Sequence, residues 1–337
     1  MNRAAVQSTS NESGLQVFLV INPVSGVVDE ATRLNHYLKF FESHEWSCQV
    51  FHTSSDHPTI DVVRHAIQQG VDLVVVSGGD GTISEAATAL CGTEIPLGIL
   101  PAGTGNILAR DLGIPLNPDR ALELLVNEHR ICSMDLMQVG ERCYALNVSI
   151  GFSAVTMGTI EREQKKRFGF LAYLINGVVN LTGVRLHRLH IQVDDLAYQV
   201  RASEVMVGNT SLVGFRRMPR QLVILPDDGT VDVIIARALT LWDWMMVVVN
   251  FVLGIKSADP WFMTLTSRDR ILVQSVTPLT VQADGDVIGI TPVEVKVLPG
   301  AVQVIVPGNE RNLVNALLRK AGLFRAEWGV STESSGD

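Results

Sequence analysis

The chain has 337 residues, of which 47% are hydrophobic and 18% charged, with a formal net charge of -8. That length suits two domains rather than one, and the composition excludes a disordered chain. The acidic balance argues against wholesale nucleic-acid binding, which needs clustered Lys and Arg against phosphate.

Residues 1–14 are polar and contain no apolar core, so they are not expected to act as a signal peptide. Gln16 to Ile21 is a continuous apolar run and predicts a buried strand that ends at Asn22-Pro23. Ala31 to Phe41 has helical spacing through Leu34, Tyr37, Leu38 and Phe41. Ser47 to His52 reads as a strand. Ile60 to Gln69 reads as a helix, with Gly70 as its stop. Leu73 to Val76 and Leu97 to Leu100 are further apolar strands, and Ile83 to Leu90 is the helix between them. Strands without alternation are buried on both faces. Their repetition with helices predicts a parallel, doubly wound α/β sheet, which binds ligands at the carboxyl ends of its strands.

After about Ile131 the chain turns β-rich. Strands are expected at Ala145–Ser149, Leu189–Val193, Val200–Val207, Val231–Ala236, Arg270–Gln274, Leu279–Ala283, Val293–Val297 and Val302–Val306, several of them alternating as half-buried antiparallel strands do. Helices are expected near 168–181, 241–253 and 311–324, the last packing back on the first domain. This gives a nucleotide-type α/β domain over 15–130, a β-rich domain over 131–308 and a returning helix over 309–325. The tail 331–337 is expected to be disordered. The apolar stretch 239–255 is shorter than the roughly 20 residues a spanning helix needs. It is interrupted by Asp243 and Asn250, so a helix packed on a sheet is the first reading and a membrane-dipping surface the second.

Chemistry concentrates in three loops. Ser77-Gly78-Gly79-Asp80-Gly81-Thr82 follows a buried strand and opens a helix, so free N–H groups there suit a phosphate. Asp80 suits a magnesium ion, its waters or a ribose hydroxyl; the plainer reading is a glycine-rich turn with Asp80 as a helix cap. Asn22-Pro23-Val24-Ser25-Gly26 ends the first strand, and Pro101-Ala102-Gly103-Thr104-Gly105-Asn106 ends the fourth. Each alone is weak, but three such loops form one rim and point to a nucleotide. The chain has no GxxxxGK[ST], no GxGxxG after the first strand and no protein-kinase signature set.

The β-rich part carries two acidic turns, Asp227-Asp228-Gly229-Thr230 after Leu225-Pro226, and Asp284-Gly285-Asp286. An Asp-Gly pair is first a hairpin turn, and carboxylates are also what phosphoryl transfer to a hydroxyl requires. His187 and His190 lack a third ligand and read as part of a solvated strand. The run 161–167 (EREQKKR) reads as a solvated helix face, with anionic head groups as an alternative contact. Cys48, Cys91, Cys132 and Cys143 show no CxxC spacing and read as reduced thiols of a cytosolic protein.

In this order the motifs resemble those of the diacylglycerol kinase catalytic family, which includes soluble bacterial lipid kinases and sphingosine kinases. The resemblance runs from Val17 to Pro307 through the NPxSG, GGDGT and PxGTxN loops, Asn147–Phe152, the DDG turn and the DG turn. It implies ATP in a cleft between an α/β domain and a β-sandwich domain. ATP contacts are expected at Thr53, at Gly78, Gly79, Asp80, Gly81, Thr82, Ile83 and Ser84, and at Thr104, with Asn22, Ser25, Gly26, Gly103 and Asn106 completing the rim. A magnesium site maps to Asp228 with the carbonyls of Leu225 and Thr230. The proton acceptor maps to Asp286; the family usually has DGE where this chain has DGD, which leaves Asp284 as a substitute. The segment 216–220 (RRMPR) also departs from the family's glycine-rich, apolar pattern. The expected reaction is transfer of the ATP γ-phosphate to a lipid hydroxyl, by a cytoplasmic protein peripheral at the membrane, with homo-oligomerisation left open. The alternatives are a kinase for a non-lipid hydroxyl such as the ribose of NAD, and a non-catalytic nucleotide- or lipid-binding protein.

Overall fold

A computed structural model describes residues 14–26, 29–54, 56–151, 185–210, 225–237, 242–243 and 262–308. The expected helices near 168–181 and 311–324, the run 161–167, the segment 216–220 and the tail lie outside these residues. So does the apolar stretch 239–255, apart from residues 242–243.

The first strands are β1 (Gln16–Ile21), β2 (Ser47–His52), β3 (Leu73–Gly78) and β4 (Leu97–Pro101). They pair in parallel in the order β2-β1-β3-β4, the doubly wound arrangement expected. Every residue of β3 and β4 is buried, which explains why these strands show no alternation. The connections are α1 (Glu30–Ser43), α2 (Thr59–Gln68) and α3 (Asp80–Leu90). Asp29 starts α1 by accepting the Thr32 N–H at 3.2 Å. Two helices were not anticipated, α4 (Ile107–Asp111) and α5 (Pro118–Val126). The start of α5 is written locally: Asn117 accepts from Arg120 N at 3.1 Å and Pro118 takes the first turn.

Twelve strands follow: β5 (His129–Val139), β6 (Arg142–Tyr144), β7 (Asn147–Gly151), β8 (His187–Val193), β9 (Leu196–Ala202), β10 (Glu204–Gly208), β11 (Val231–Ala236), β12 (Phe262–Ser267), β13 (Arg270–Ser275), β14 (Thr280–Ala283), β15 (Asp286–Ile290) and β16 (Val293–Pro307). Two expectations need correction. Val200–Val207 is not one strand. It turns at Ser203, whose N–H and hydroxyl both donate to the Ala236 carbonyl at 2.8 and 3.1 Å, and the strands on either side enter different sheets. Conversely, Val293–Val297 and Val302–Val306 belong to the single strand β16, with an irregularity between Leu298 and Val302.

That long strand joins the two architectures. Its last part pairs in parallel with β4, and along its length it pairs antiparallel with β5 and β13. The parallel sheet therefore continues, through β16, β13, β8 and β9, into one layer of a sandwich. The other layer is a six-stranded antiparallel sheet in the order β12-β11-β10-β7-β14-β15. Val148, Ile150, Val205, Val233 and Val281 of that layer pack with Ile191, Ile271, Val273 and Val295 of the first to form the second core. Among the described residues, no helix is long and apolar enough to cross a membrane.

At the end of β7, Gly151 has φ +119°, and a Cβ there would lie 2.4 Å from the Ser203 carbonyl oxygen. Only glycine accommodates both the dihedral and the approach of β10. Gly151→Ala is expected to destabilise the protein by about 1–3 kcal/mol, read as a lower urea midpoint with an unchanged slope.

Candidate functional site

The three glycine-rich loops stand together at the carboxyl ends of β1, β3 and β4. Ala102 N donates to the Gly78 carbonyl at 2.9 Å, and Asn22 Nδ2 donates to Thr82 Oγ1 at 3.1 Å. The second and third loops touch backbone to backbone: a Cβ on Gly103 would lie 2.5 Å from Gly79 Cα. These two glycines are thus needed first for loop-on-loop packing. Gly81 differs, since a Cβ there would meet nothing within 4 Å.

Asp80, the first residue of α3, turns towards the third loop. Its Oδ1 accepts from Leu108 N at 3.2 Å, at the start of α4. Burial raises its pKa, while the amides of Leu108, Ile107 and Asn106 pull the other way and the Asp284 charge adds to the rise. Asn106 has φ +49°, and its side chain closes the loop by accepting from Gly103 N at 2.9 Å and donating to Gly103 O at 2.8 Å. Thr104 is exposed and Thr53, at the end of β2, is half-buried. Ser25 donates from its N–H to the Asn22 carbonyl at 3.2 Å, and Gly26 follows at φ +91°.

Below the first loop lies Arg33, only 6% exposed and not singled out by the sequence. It donates to Ser77 Oγ at 3.2 Å and to the Asn22 carbonyl at 3.1 Å, and among the described residues its Nε has no hydrogen-bond partner. A buried guanidinium without a carboxylate partner among those residues gives the rim a positive floor. That charge, with the open backbone at Gly81, suits a phosphate group.

Helix α3 connects this rim to the acidic DG turn. Ile83 is fully buried in the first core, so its side chain packs rather than faces the rim. Ser84, one residue on, donates its hydroxyl to Asp284 Oδ2. Asp284 also accepts from Ala145 N at 3.0 Å, Leu146 N at 3.0 Å and Asn147 N at 2.9 Å. Two donors per carboxylate oxygen fill its usual acceptor capacity. Burial raises the Asp284 pKa, against the lowering by Ser84 and the three amides. Asp284 (φ +48°) and Gly285 (φ +95°) form the two-residue turn between β14 and β15, the hairpin the Asp-Gly pair suggests. Asp286 opens β15 and is exposed. Tyr144 is close enough to feel both carboxylates: burial chiefly raises its phenol pKa, and the charges of Asp284 and Asp286 add to that.

The other acidic turn lies elsewhere in the sandwich. Asp228 Oδ1 accepts the N–H and hydroxyl of Thr230 at 3.1 and 2.7 Å, and Leu225 is buried beside it. A residue absent from the sequence reading, Asp135 of β5, anchors the turn. Its carboxylate, 1% exposed, accepts from Gly229 N at 2.7 Å and Gly300 N at 2.8 Å. Burial pushes its pKa up to about 6, opposed by those amides and reinforced by Asp228 and Asp227. The donor set of Asp228 with the Leu225 and Thr230 carbonyls is all oxygen, the chemistry that magnesium or calcium takes. Among the described residues no group of three or more His, Cys, Asp or Glu side chains is placed to share one ion. Asn209, fully buried, links the two acidic regions by donating to the carbonyls of Asp135 at 2.7 Å and Ala145 at 3.3 Å. His187 is half-buried and His190 exposed on β8, in keeping with a solvated strand.

Comparison with known proteins places this geometry. Residues 16–139 match the model of the diacylglycerol kinase catalytic domain, and residues 146–306 match that of the YegS C-terminal NAD kinase beta sandwich-like domain. A diacylglycerol kinase of Mycobacterium tuberculosis is 28% identical over 74% of this chain and 82% of its own length. An uncharacterized protein of Synechocystis is 28% identical over 86% of this chain and 70% of its own. The crystal structure of a diacylglycerol kinase from Bacillus anthracis superposes with a TM-score of 0.65 at 23% identity, covering 87% of this chain and 97% of that one, which supports the fold.

The environments of the two DG-turn carboxylates separate them experimentally. Asp284→Asn turns an amide towards N–H donors and is expected to cost about 3 kcal/mol of stability. Asp286→Asn, on an exposed side chain, is expected to stay within about 0.5 kcal/mol of the parent. Chemical denaturation of both variants checks this.

Proposed function

Because the chain belongs to the diacylglycerol kinase catalytic family, we propose that it transfers the γ-phosphate of ATP to a lipid hydroxyl. One observation carries this reading: α3 begins in the GGDGT loop and, through Ser84, holds Asp284, two residues before Asp286. A phosphate rim and a carboxylate-bearing turn are thereby held by one helix, as phosphoryl transfer to a hydroxyl requires.

In this reading Asn22, Ser25, Gly26, Thr53, Gly81, Thr82 and Thr104 contact the nucleotide, and Arg33 supplies positive charge beneath its phosphates. Asp286 accepts the proton of the lipid hydroxyl as the phosphorus–oxygen bond forms. The filled acceptor set of Asp284 supports Asp286 over its neighbour. Magnesium, when bound, offsets phosphate charge; Asp80 would hold it at the rim, and Asp228 with the Leu225 and Thr230 carbonyls would hold an ion in the sandwich. The acceptor's apolar chains place the enzyme at the cytoplasmic membrane surface as a peripheral protein, released by a high-salt wash rather than by detergent.

The test is incubation of the purified chain with radiolabelled ATP and diacylglycerol, a sphingoid base, a polyprenol, phosphatidylglycerol or NAD. Label in a lipid is expected; label in NAD alone, or in no acceptor, overturns the reading. Asp286→Asn is expected to lower turnover by about two orders of magnitude or more with ATP affinity nearly unchanged, and Asp286→Glu to retain activity. Gly81→Val fills open space and is expected to abolish ATP binding while circular dichroism shows an intact fold.

A further inference from the structure

The four cysteines are not equivalent. Cys48, on β2, is half-buried with its Sγ 3.7 Å from the Gln49 carbonyl. Cys132 is buried with its Sγ 3.3 Å from Asp227 Oδ2. Cys91 and Cys143 lie against each other, Sγ to Sγ at 3.5 Å, although 52 residues separate them in the chain. Cys91 is half-buried at the C-terminal end of α3, and Cys143 is buried in the middle of β6. The same two elements are joined by Thr88 of α3, whose hydroxyl donates to the Cys143 carbonyl at 2.6 Å. The sulfurs need approach only by roughly 1.5 Å to reach bonding distance.

We propose that Cys91 and Cys143 form a redox modification site, at which a hydroperoxide converts the dithiol reversibly into an intramolecular disulfide. The local chemistry assigns the two roles. The hydrogen bond from Cys143 chiefly lowers the Cys91 pKa, to about 7; burial opposes this and the Arg64 guanidinium assists it. The same contact, with burial, moves the Cys143 pKa upward. Cys91 is therefore the thiolate nucleophile and Cys143 the resolving thiol. The Cys91 thiolate attacks a peroxide oxygen, the O–O bond breaks, hydroxide or alkoxide leaves, and Cys91 becomes a sulfenic acid. Cys143 then loses its proton as its sulfur attacks Cys91 Sγ, the S–S bond forms and water leaves. The dithiol gives up two electrons, which reduce the peroxide. The product ties α3, whose far end is the GGDGT loop, to β6, immediately before the amides of 145–147 that hold Asp284.

The test treats the purified full-length chain with hydrogen peroxide, alkylates remaining thiols under denaturing conditions and maps peptides by mass spectrometry. The expected product is one linked pair, Cys91 to Cys143, two hydrogens lighter than the reduced peptides, reopened by a thiol reductant, with Cys48 and Cys132 alkylated. Cys91 is expected to react more than about tenfold faster than Cys48, whose thiol burial pushes up to about 11. The crosslink should also raise the thermal midpoint, since it closes a 52-residue separation in the unfolded chain. Cys91→Ser abolishes the link; Cys143→Ser leaves Cys91 as a sulfenic acid that dimedone traps. Recovery of both cysteines as alkylated thiols, oxidation of Cys91 with Cys143 still alkylated, or pairing of either with Cys48, Cys132 or a second molecule overturns the proposal. Cys91→Ser changes a half-buried helix end and keeps the test valid should the buried Cys143 variant fail to fold.

Discussion

The site depends on a carboxylate whose acceptors are all taken. Asp284 draws the hydroxyl of α3 and three successive backbone N–H groups onto its two oxygens. A charge in that environment is tolerable only if every lone pair finds a donor. The requirement fixes the geometry: the DG hairpin, the strand entering β7 and the second turn of α3 must all converge on one point. Asp80 imposes a smaller version of the same condition, bringing the amides at the start of α4 onto the GGDGT loop. The Asp284 charge raises the pKa of Asp80, and the amides on both carboxylates pull the other way, so those amides are part of the electrostatic balance as well as the architecture.

A third carboxylate does equivalent work at the join between the two architectures. The strand β16 runs from the sandwich part to the parallel part of one continuous sheet, and its fifteen residues carry an irregularity, which bends a strand and increases its twist. The irregularity lies at Leu298–Val302 and frees Gly300 N, which Asp135 accepts while also accepting Gly229 N. The acidic turn is thus anchored to the irregularity in the strand that carries the parallel sheet into the sandwich. Asn209 then ties the Asp135 backbone to that of Ala145, beside the amides that hold Asp284.

What the sequence made legible was local. The four parallel strands, the glycine loops at their ends and the Asp-Gly hairpin follow from apolar runs and turn residues, and the structure places them where that chemistry indicates. The corner at Ser203 was hidden because valines recur on both sides of it, and only the Ala236 carbonyl of the neighbouring strand β11 reveals the turn. The unity of β16 was hidden by Pro299-Gly300, which reads as a break but is a bulge held by Asp135. No sequence motif marks Arg33, and Cys91 and Cys143 share no CxxC spacing. Their significance lies in contacts across 44 and 52 residues, which no local pattern encodes.

The glycines of the rim show how a correct location can rest on an incomplete cause. A glycine-rich loop before a helix is readily explained by a ligand that needs close backbone approach. Here Gly79 and Gly103 have a prior obligation, because each occupies the space a Cβ of the other would need. Their packing brings the GGDGT and PxGTxN loops together before any ligand arrives, and the Ala102–Gly78 hydrogen bond fixes the register of that contact. Gly81 carries no such obligation within the protein. Its lack of a side chain leaves open space at the first turn of α3. The motif therefore divides into glycines that build the rim and one that leaves it open. A motif match alone treats these residues alike; their neighbours distinguish them.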